Sequence, residues 1–152
     1  KMKTVAYLQF DGQAEEALTF YEKALQATDV KKVRFNALGE NPNMPLEKED
    51  QELIMESRIE FAGNTLMLSD VPSAMQTVTG GIHKGNSILI SIVDATPEVN
   101  SSLFNGLSEG GTVIMPLSNT PWSASFGMLI DQFGVTWKFN SEASKFLESF
   151  TK

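Results

Sequence analysis

One pattern, met twice, constrains this chain more than any other feature. The stretches I-E-F-A-G-N-T-L-M-L (59–68) and M-L-I-D-Q-F-G-V-T-W (128–137) each run two alternating segments into a short break that contains a glycine. Alternation with period two is the mark of a strand. A glycine in the break supplies a turn conformation that a side chain would resist. Both stretches therefore read as β-hairpins. What precedes them matches as well: a strand, a helix and a further strand lead into each hairpin. Residue identity between the halves is low, so the repeat is one of pattern. The expected fold class is α+β: two βαβββ modules whose eight mostly antiparallel strands form curled sheets, with helices outside and a cavity on the other face. The expected division is a first module over 1–70, a connector over 71–85, and a second module over 86–152 that ends in a helix.

The individual elements follow from local signals. T-V-A-Y-L-Q-F (4–10) is a strand with Val5, Tyr7 and Gln9 on one face and Ala6, Leu8 and Phe10 on the other. After D-G, residues Ala14, Ala17, Leu18, Tyr21 and Leu25 recur at helical spacing, with Glu15 and Glu16 in the first turn. V-K-K-V-R-F-N-A-L (30–38) reads as an exposed strand, and 39–50 as a mobile loop whose E-K-E-D run is a solvated surface. L-I-M-E-S-R-I-E-F (53–61) and T-L-M-L-S-D (65–70) make the first hairpin. N-S-I-L-I-S-I-V-D (86–94) is a strand with Ile88, Ile90 and Ile92 on its apolar face. Thr96 caps a helix with Pro97 at its first position, and Val99, Leu103, Phe104 and Leu107 form its buried side. T-V-I-M-P-L (112–117) is a strand in which Pro116 marks either an edge strand or the strand's end. Residues 141–150 form a terminal helix in which Phe146, Leu147 and Phe150 are apolar.

Composition removes several function classes. The net charge is −7 and the 12 basic residues are scattered, which argues against nucleic acid and anionic membranes as partners. There is no cysteine, so disulfides, thiolate catalysis and cysteine-based zinc sites are out. No apolar run approaches the ~20 residues of a membrane span. The N-terminal stretch lacks a signal-peptide pattern, and the cytoplasm is the expected location.

Several segments resemble a known family. A-E-E-A-L-T-F-Y-E-K-A-L after Y-L-Q-F-D-G, then L-M-L-S-D, then M-P-L-S-N-T-P-W and F-G-M-L-I-D-Q-F-G-V-T-W, are similar to the PhnB-like branch of the glyoxalase/bleomycin-resistance/extradiol-dioxygenase superfamily, also called vicinal oxygen chelate. The likeness runs from Thr4 to Asn140, and D-x-F-G-V-x-W is its most specific element. It implies paired βαβββ modules, a homodimer and a cup-shaped cavity, with Asp131, Phe133, Gly134 and Trp137 as a structural signature of the second hairpin. Some members carry a methyltransferase label, but no glycine-rich cofactor loop stands in this sequence to support it.

The resemblance also directs attention to a site. Superfamily enzymes hold a divalent metal through His and Glu on several cavity strands. The corresponding positions here fall near Val5, Asp70, Ser87 and Lys138, of which only Asp70 could ligate, so no metal site is expected beyond Glu56 and Asp70. Many PhnB-like chains place a His on the strand before L-M-L-S-D; Glu56 takes that position here. Period two puts Ile54, Glu56, Arg58 and Glu60 on one face, directed to cavity or to solvent. Glu56 is the candidate general base or ligand anchor, and Tyr7, Gln9, Arg58, Asp70 and Trp122 are the candidate ligand-binding residues. His83, the one histidine, stands in a loop, and no G-x-S-x-G accompanies it. The first expectation for function is a protein that binds a small organic molecule in its cup without a tightly held metal. One alternative is a divalent-metal-dependent lyase, isomerase or dioxygenase. Another is a non-catalytic assembly protein.

Overall fold

The computed structural model describes residues 1–43 and 45–151. The chain divides into two compact units, Lys1–His83 and Lys84–Lys152. In the first unit β1 (Ala6–Phe10), α1 (Ala14–Ala24), β2 (Asp29–Arg34), β3 (Ile54–Phe61) and β4 (Asn64–Asp70) precede a short helix α2 (Ser73–Thr79). The strands form one sheet in the order β1-β4-β3-β2. β1 runs parallel to β4, and the other neighbours are antiparallel. The second unit repeats the scheme with β5 (Ile90–Val93), α3 (Pro97–Ser108), β6 (Thr112–Thr120), β7 (Ser123–Ile130) and β8 (Thr136–Asn140), and ends in α4 (Ala143–Phe150). Its sheet order is β5-β8-β7-β6, with β5 parallel to β8. Each unit is thus a βαβββ module with a four-stranded mixed sheet, and neither sheet closes on itself. Among the described residues no helix is long and apolar enough to cross a membrane.

In the first unit α1 packs on β3 and β4. The covered face buries Phe10, Ile54, Ile59, Leu66 and Leu68 against Ala14, Ala17, Leu18 and Tyr21. Glu15, in the first turn of α1, takes Lys32 at 3.0 Å and Arg34 from β2, which ties the helix to the sheet edge. These two bonds hold the Glu15 carboxyl below the usual carboxylate range, Lys32 being the larger cause. In the second unit α3 lies on β6 and β7, and Trp137, Phe139, Leu129 and Leu107 are fully buried.

The structure differs from the sequence expectation in several places. Ile54 does not share a face with Glu56. The β2–β3 ladder slips between Val33 and Arg34, which pair with Glu56 and Ile54, so Met55 is the extra residue of a β-bulge. The bulge turns Ile54 into the core beside Ser57 and Ile59. The strand expected over 86–94 starts only at Ile90, and Ile88 is 86% exposed. Val99 is exposed, and the fully buried Asn100 takes its place on the inner side of α3. The strand expected over 30–38 ends at Arg34 and passes into a 3₁₀ turn, Phe35–Leu38. Asp50, in the supposedly solvated E-K-E-D run, is buried and accepts from the Ser73 N–H (3.1 Å) and hydroxyl (2.6 Å) at the start of α2. That helix occupies part of the segment expected to be a plain connector.

Other local readings stand. Thr96 caps α3, its hydroxyl accepting from the Val99 N–H at 3.2 Å. β6 is an edge strand, as one of the two readings of Pro116 had it, but it runs past that proline to Thr120. The D-Q-F-G break between β7 and β8 is organised by one carboxylate. Asp131 Oδ1 accepts from the N–H groups of Phe133 (2.9 Å) and Val135 (3.1 Å), and Oδ2 from the Trp137 indole N–H (2.9 Å). Gly134 sits at φ +88°, a conformation that L side chains rarely adopt. Phe133 and Trp137 are buried, so two of the three donors lack solvent as a substitute. Asp131→Ala is therefore expected to lower unfolding free energy by about 3 kcal/mol, since it orphans buried donors to a charged acceptor. Urea denaturation checks this, and a loss below about 1 kcal/mol would mean that the turn is held by other contacts.

Candidate functional site

The first sheet has one face under α1 and one that is not. Strand register decides which side chains stand on the second. β1–β4 pairing sets Tyr7 beside Met67 and Gln9 beside Ser69. β3–β4 pairing continues the first row to Arg58, and β2–β3 pairing continues it to Lys31. One rung along, Val33 pairs with Glu56. In-register neighbours point to the same side of a sheet. Tyr7, Gln9, Met67, Ser69, Glu56 and Arg58 therefore share the open face.

Within this set three side chains form a chain of hydrogen bonds. Tyr7 reaches from β1 across β4 and donates its phenol proton to Glu56 Oε1 on β3. The Tyr7 and Ser69 hydroxyls are 2.9 Å apart. A phenol has one proton; with that proton on Glu56, the Tyr7 oxygen is left to accept from Ser69. Ser69 is buried beneath the pair, whereas Tyr7 remains 42% exposed. Burial raises the Tyr7 hydroxyl above its ordinary pKa of 10.0, and the bond to the Glu56 carboxylate adds to the rise, while Ser69 acts the other way. At neutral pH the Tyr7 phenol therefore keeps its proton.

Arg58 stands on the same face but is already engaged. Its Nη2 donates to Asp29 at 3.2 Å, and its Nε lies 3.3 Å from Glu60. Gln9 is exposed beside Ser69. Trp122 belongs to the second unit, at the turn between β6 and β7, half-exposed and edge-on to Phe126 at 5.7 Å.

Asp70 is a correction. It was expected as a ligand-binding residue and as a metal partner of Glu56, but it lies on the covered face, one residue out of phase with Ser69. It is buried, Oδ1 accepting from the Ala14 N–H and Oδ2 from the Ile54 N–H, both at 3.0 Å. Its oxygens fix the start of α1 and the β3 bulge. Ser69 is the site residue that sequence reasoning passed over. The signal was present: period two applied to T-L-M-L-S-D puts Ser69, not Asp70, with Met67 on the face of Glu56.

The donor set does not fit a resident metal. Among the described residues no three of His, Cys, Asp and Glu come together to hold an ion. Glu56 shares its carboxylate with a neutral phenol, Asp70 is turned away, and His83 is an exposed loop residue whose Nε2 meets the Gly80 carbonyl at 3.0 Å. A cavity of about 350 Å³ lies elsewhere, among the loop residues Phe35, Asn36, Glu40, Pro42, Leu46 and Gln51. It holds neither a nucleophile poised by a base nor a convergent set of bonded polar groups, so the hydrogen-bonded trio, not this cavity, marks the candidate site.

The trio makes a test available through pH. An unfolded tyrosine titrates near 10, and the folded one higher, so folding favours the neutral phenol. That contribution is complete below pH ~10 and is lost as pH rises through the folded value. NMR titration of the Tyr7 ring is expected to give a midpoint above 10.0. In Glu56→Gln the midpoint falls but stays raised, because burial is the larger cause. Tyr7→Phe should remove this part of the alkaline loss of stability. A Tyr7 midpoint unchanged by Glu56→Gln would break the link between the two residues.

The sequence model of the family described as 3-demethylubiquinone-9 3-methyltransferase matches residues 2–140. Protein YjdN of Escherichia coli (strain K12) is 26% identical over 144 residues, covering 88% of this chain and 91% of that protein. Among solved structures, protein PA1353 from Pseudomonas aeruginosa is 34% identical with a TM-score of 0.73, over 92% of this chain and 97% of its own. A PhnB protein from Bacillus cereus is 25% identical with a TM-score of 0.65, over 91% and 98%. The fosfomycin resistance protein FosX from Listeria monocytogenes, at 9% identity and a TM-score of 0.61, shares the fold alone. With a family match over residues 2–140 and a relative 34% identical over nearly the whole of both chains, the chain belongs to the family described as 3-demethylubiquinone-9 3-methyltransferase.

Proposed function

We infer that this protein binds a small organic molecule on the open face of its first sheet, without a tightly held metal. The observation that carries the reading is the Ser69–Tyr7–Glu56 chain of hydrogen bonds. It fixes an exposed carboxylate and a half-exposed aromatic ring side by side on rigid strands, next to Met67 and Gln9. Precisely oriented polar groups beside apolar surface are what small-molecule sites are built from. The carboxylate accepts from a ligand, the phenol oxygen and Gln9 offer further polar partners, and the ring and Met67 give apolar area.

Methyl transfer is not part of the reading. A nucleotide-type methyl donor takes a glycine-rich turn between a parallel strand and its helix. The β1–α1 turn here has one glycine, Gly12, and the β5–α3 turn, D-A-T, has none.

Two measurements test the proposal on the full chain. Mixtures of small organic molecules are screened by amide NMR; binders are expected to shift Tyr7, Gln9, Glu56, Arg58, Met67 and Ser69 together. Native mass spectrometry with added zinc, nickel or manganese is expected to show no stoichiometric metal. Binders that move only the 35–51 loop would sink the placement of the site. A stoichiometric ion lost in Glu56→Gln would replace it with the metal-dependent enzyme of the same superfamily.

A further inference from the structure

The charges of the open face are unequally matched. Arg58 is shared between Asp29 and Glu60, at 3.2 and 3.3 Å, and Lys31 also turns to Asp29, at 3.7 Å. Lys3 donates to the Thr65 hydroxyl at 3.1 Å, and Thr65 in turn donates to Glu60, so this cation sits at the Glu60 end of the sheet. Asp29 is thus paired with Arg58 and Lys31, and Glu60 with Arg58. Glu56 is different. Its partner is the Tyr7 phenol, and among the described residues no cation lies within ion-pair distance of it. Tyr7 occupies Oε1, and among the described residues no bond is made to Oε2 of this exposed residue.

A carboxylate in this setting selects by charge. An anionic ligand placed here meets Glu56 unscreened, and its natural partner, Arg58, already stands between the carboxylates of Asp29 and Glu60. A neutral ligand gains one ordinary hydrogen bond. An ammonium group gains a charge-assisted bond to Oε2, stronger than a neutral one. Its body also comes over the Tyr7 ring, whose face attracts cations. Met67, next to Tyr7 across the β1–β4 ladder, supplies adaptable apolar surface for the rest of the molecule. The net charge of −7 adds a long-range attraction of the same sign.

We propose that the ligand of this face is an organic cation: a protonated amine carried on an apolar or aromatic body, its ammonium on Glu56 and its body on Tyr7 and Met67. The proposal rests on the binding-face reading above and adds the charge of the ligand to it.

The test is a charge series on the full chain at neutral pH, followed by amide NMR. The probes are 2-phenylethylammonium, 2-phenylethanol and 3-phenylpropionate, close in size and different in charge. The ammonium is expected to bind tightest, by about tenfold over the alcohol, with the carboxylate weakest. Glu56→Gln, an exposed change whose fold is verified by its own amide spectrum, should bring the ammonium down to the level of the alcohol. Tyr7→Phe keeps the ring and frees Oε1, so the preference for the ammonium should survive it. If all three probes shift the Tyr7, Gln9, Glu56 and Ser69 amides with equal affinity, or the carboxylate leads, the cation proposal falls and the binding face stands. Equal ammonium affinity in Glu56→Gln overturns it as well. If no probe moves those amides, both fall together.

Discussion

The first unit depends on a buried carboxylate. Asp70, at the end of β4, joins three elements: it accepts from Ala14 at the start of α1 and from Ile54 at the start of β3 while standing on β4 itself. A helix N-terminus leaves its first N–H groups without intrahelical partners, and negative charge there is favourable. The Ile54 N–H is orphaned for a different reason. It sits beside a bulge, where the ladder slips and the pairing with β2 is broken. One side chain satisfies both donors. The result fixes where α1 sits on the sheet and also the phase of β3. Beyond the bulge, Ser57 and Ile59 face the helix, and Glu56 and Arg58 face away from it. The candidate site inherits its orientation from a residue that is not part of it.

The second unit reaches the same topology by other means. The position that pairs with the last residue of its first strand is Asn140, against Val93, where the first unit pairs Asp70 with Phe10. Asn140 turns to the Glu142 N–H instead, and the carboxylate that organises this unit is Asp131, in the hairpin turn. Asp94 then caps α4 through the Ser144 N–H and hydroxyl, and these bonds hold its carboxyl below the usual range. Matching strand order with relocated anchors is what a pattern-level repeat looks like in three dimensions. Topology tolerates the move, because buried backbone donors need an acceptor but do not specify which strand supplies it.

That distinction also explains what the sequence could convey. Period two and helical spacing depend on which face is dry, and they located the strands and both principal helices to within a few residues. They also put Tyr7 with Gln9 on one face of β1 and Glu56 with Arg58 on one face of β3, and the strand register brings the two pairs to the same side. The failures come from interactions that leave no periodic trace. A single-residue bulge inverts the phase, so Ile54 was assigned to the wrong face. A polar residue can occupy a core position when part of its bonding is met inside, as Asn100 does in place of Val99: its amide nitrogen meets the Ser125 hydroxyl at 3.2 Å, while its Oδ1 is buried without a partner among the described residues. Asp50, in a run of charges, was indistinguishable from its solvated neighbours until Ser73 came beside it. Asp70 drew attention as a carboxylate at a family metal position, yet its phase already excluded it from the face of Glu56.

The same trio also bears on why metal chemistry is a poor fit. Metal ligands must be deprotonated to bind, so each candidate donor is tested by its charge at neutral pH. Tyr7 fails, since burial and the neighbouring carboxylate keep its proton on. Ser69 is a neutral hydroxyl, and Gln9 a neutral amide. Glu56 is then a single anionic donor, with one oxygen already receiving a proton donor, on a face whose other carboxylates are paired with cations. A hard divalent ion gathers several oxygen donors and strips water to do so. An ammonium group needs one good acceptor, keeps part of its hydration and accepts an aromatic wall in place of the rest. The arrangement of charge on this sheet suits the second kind of cation better than the first.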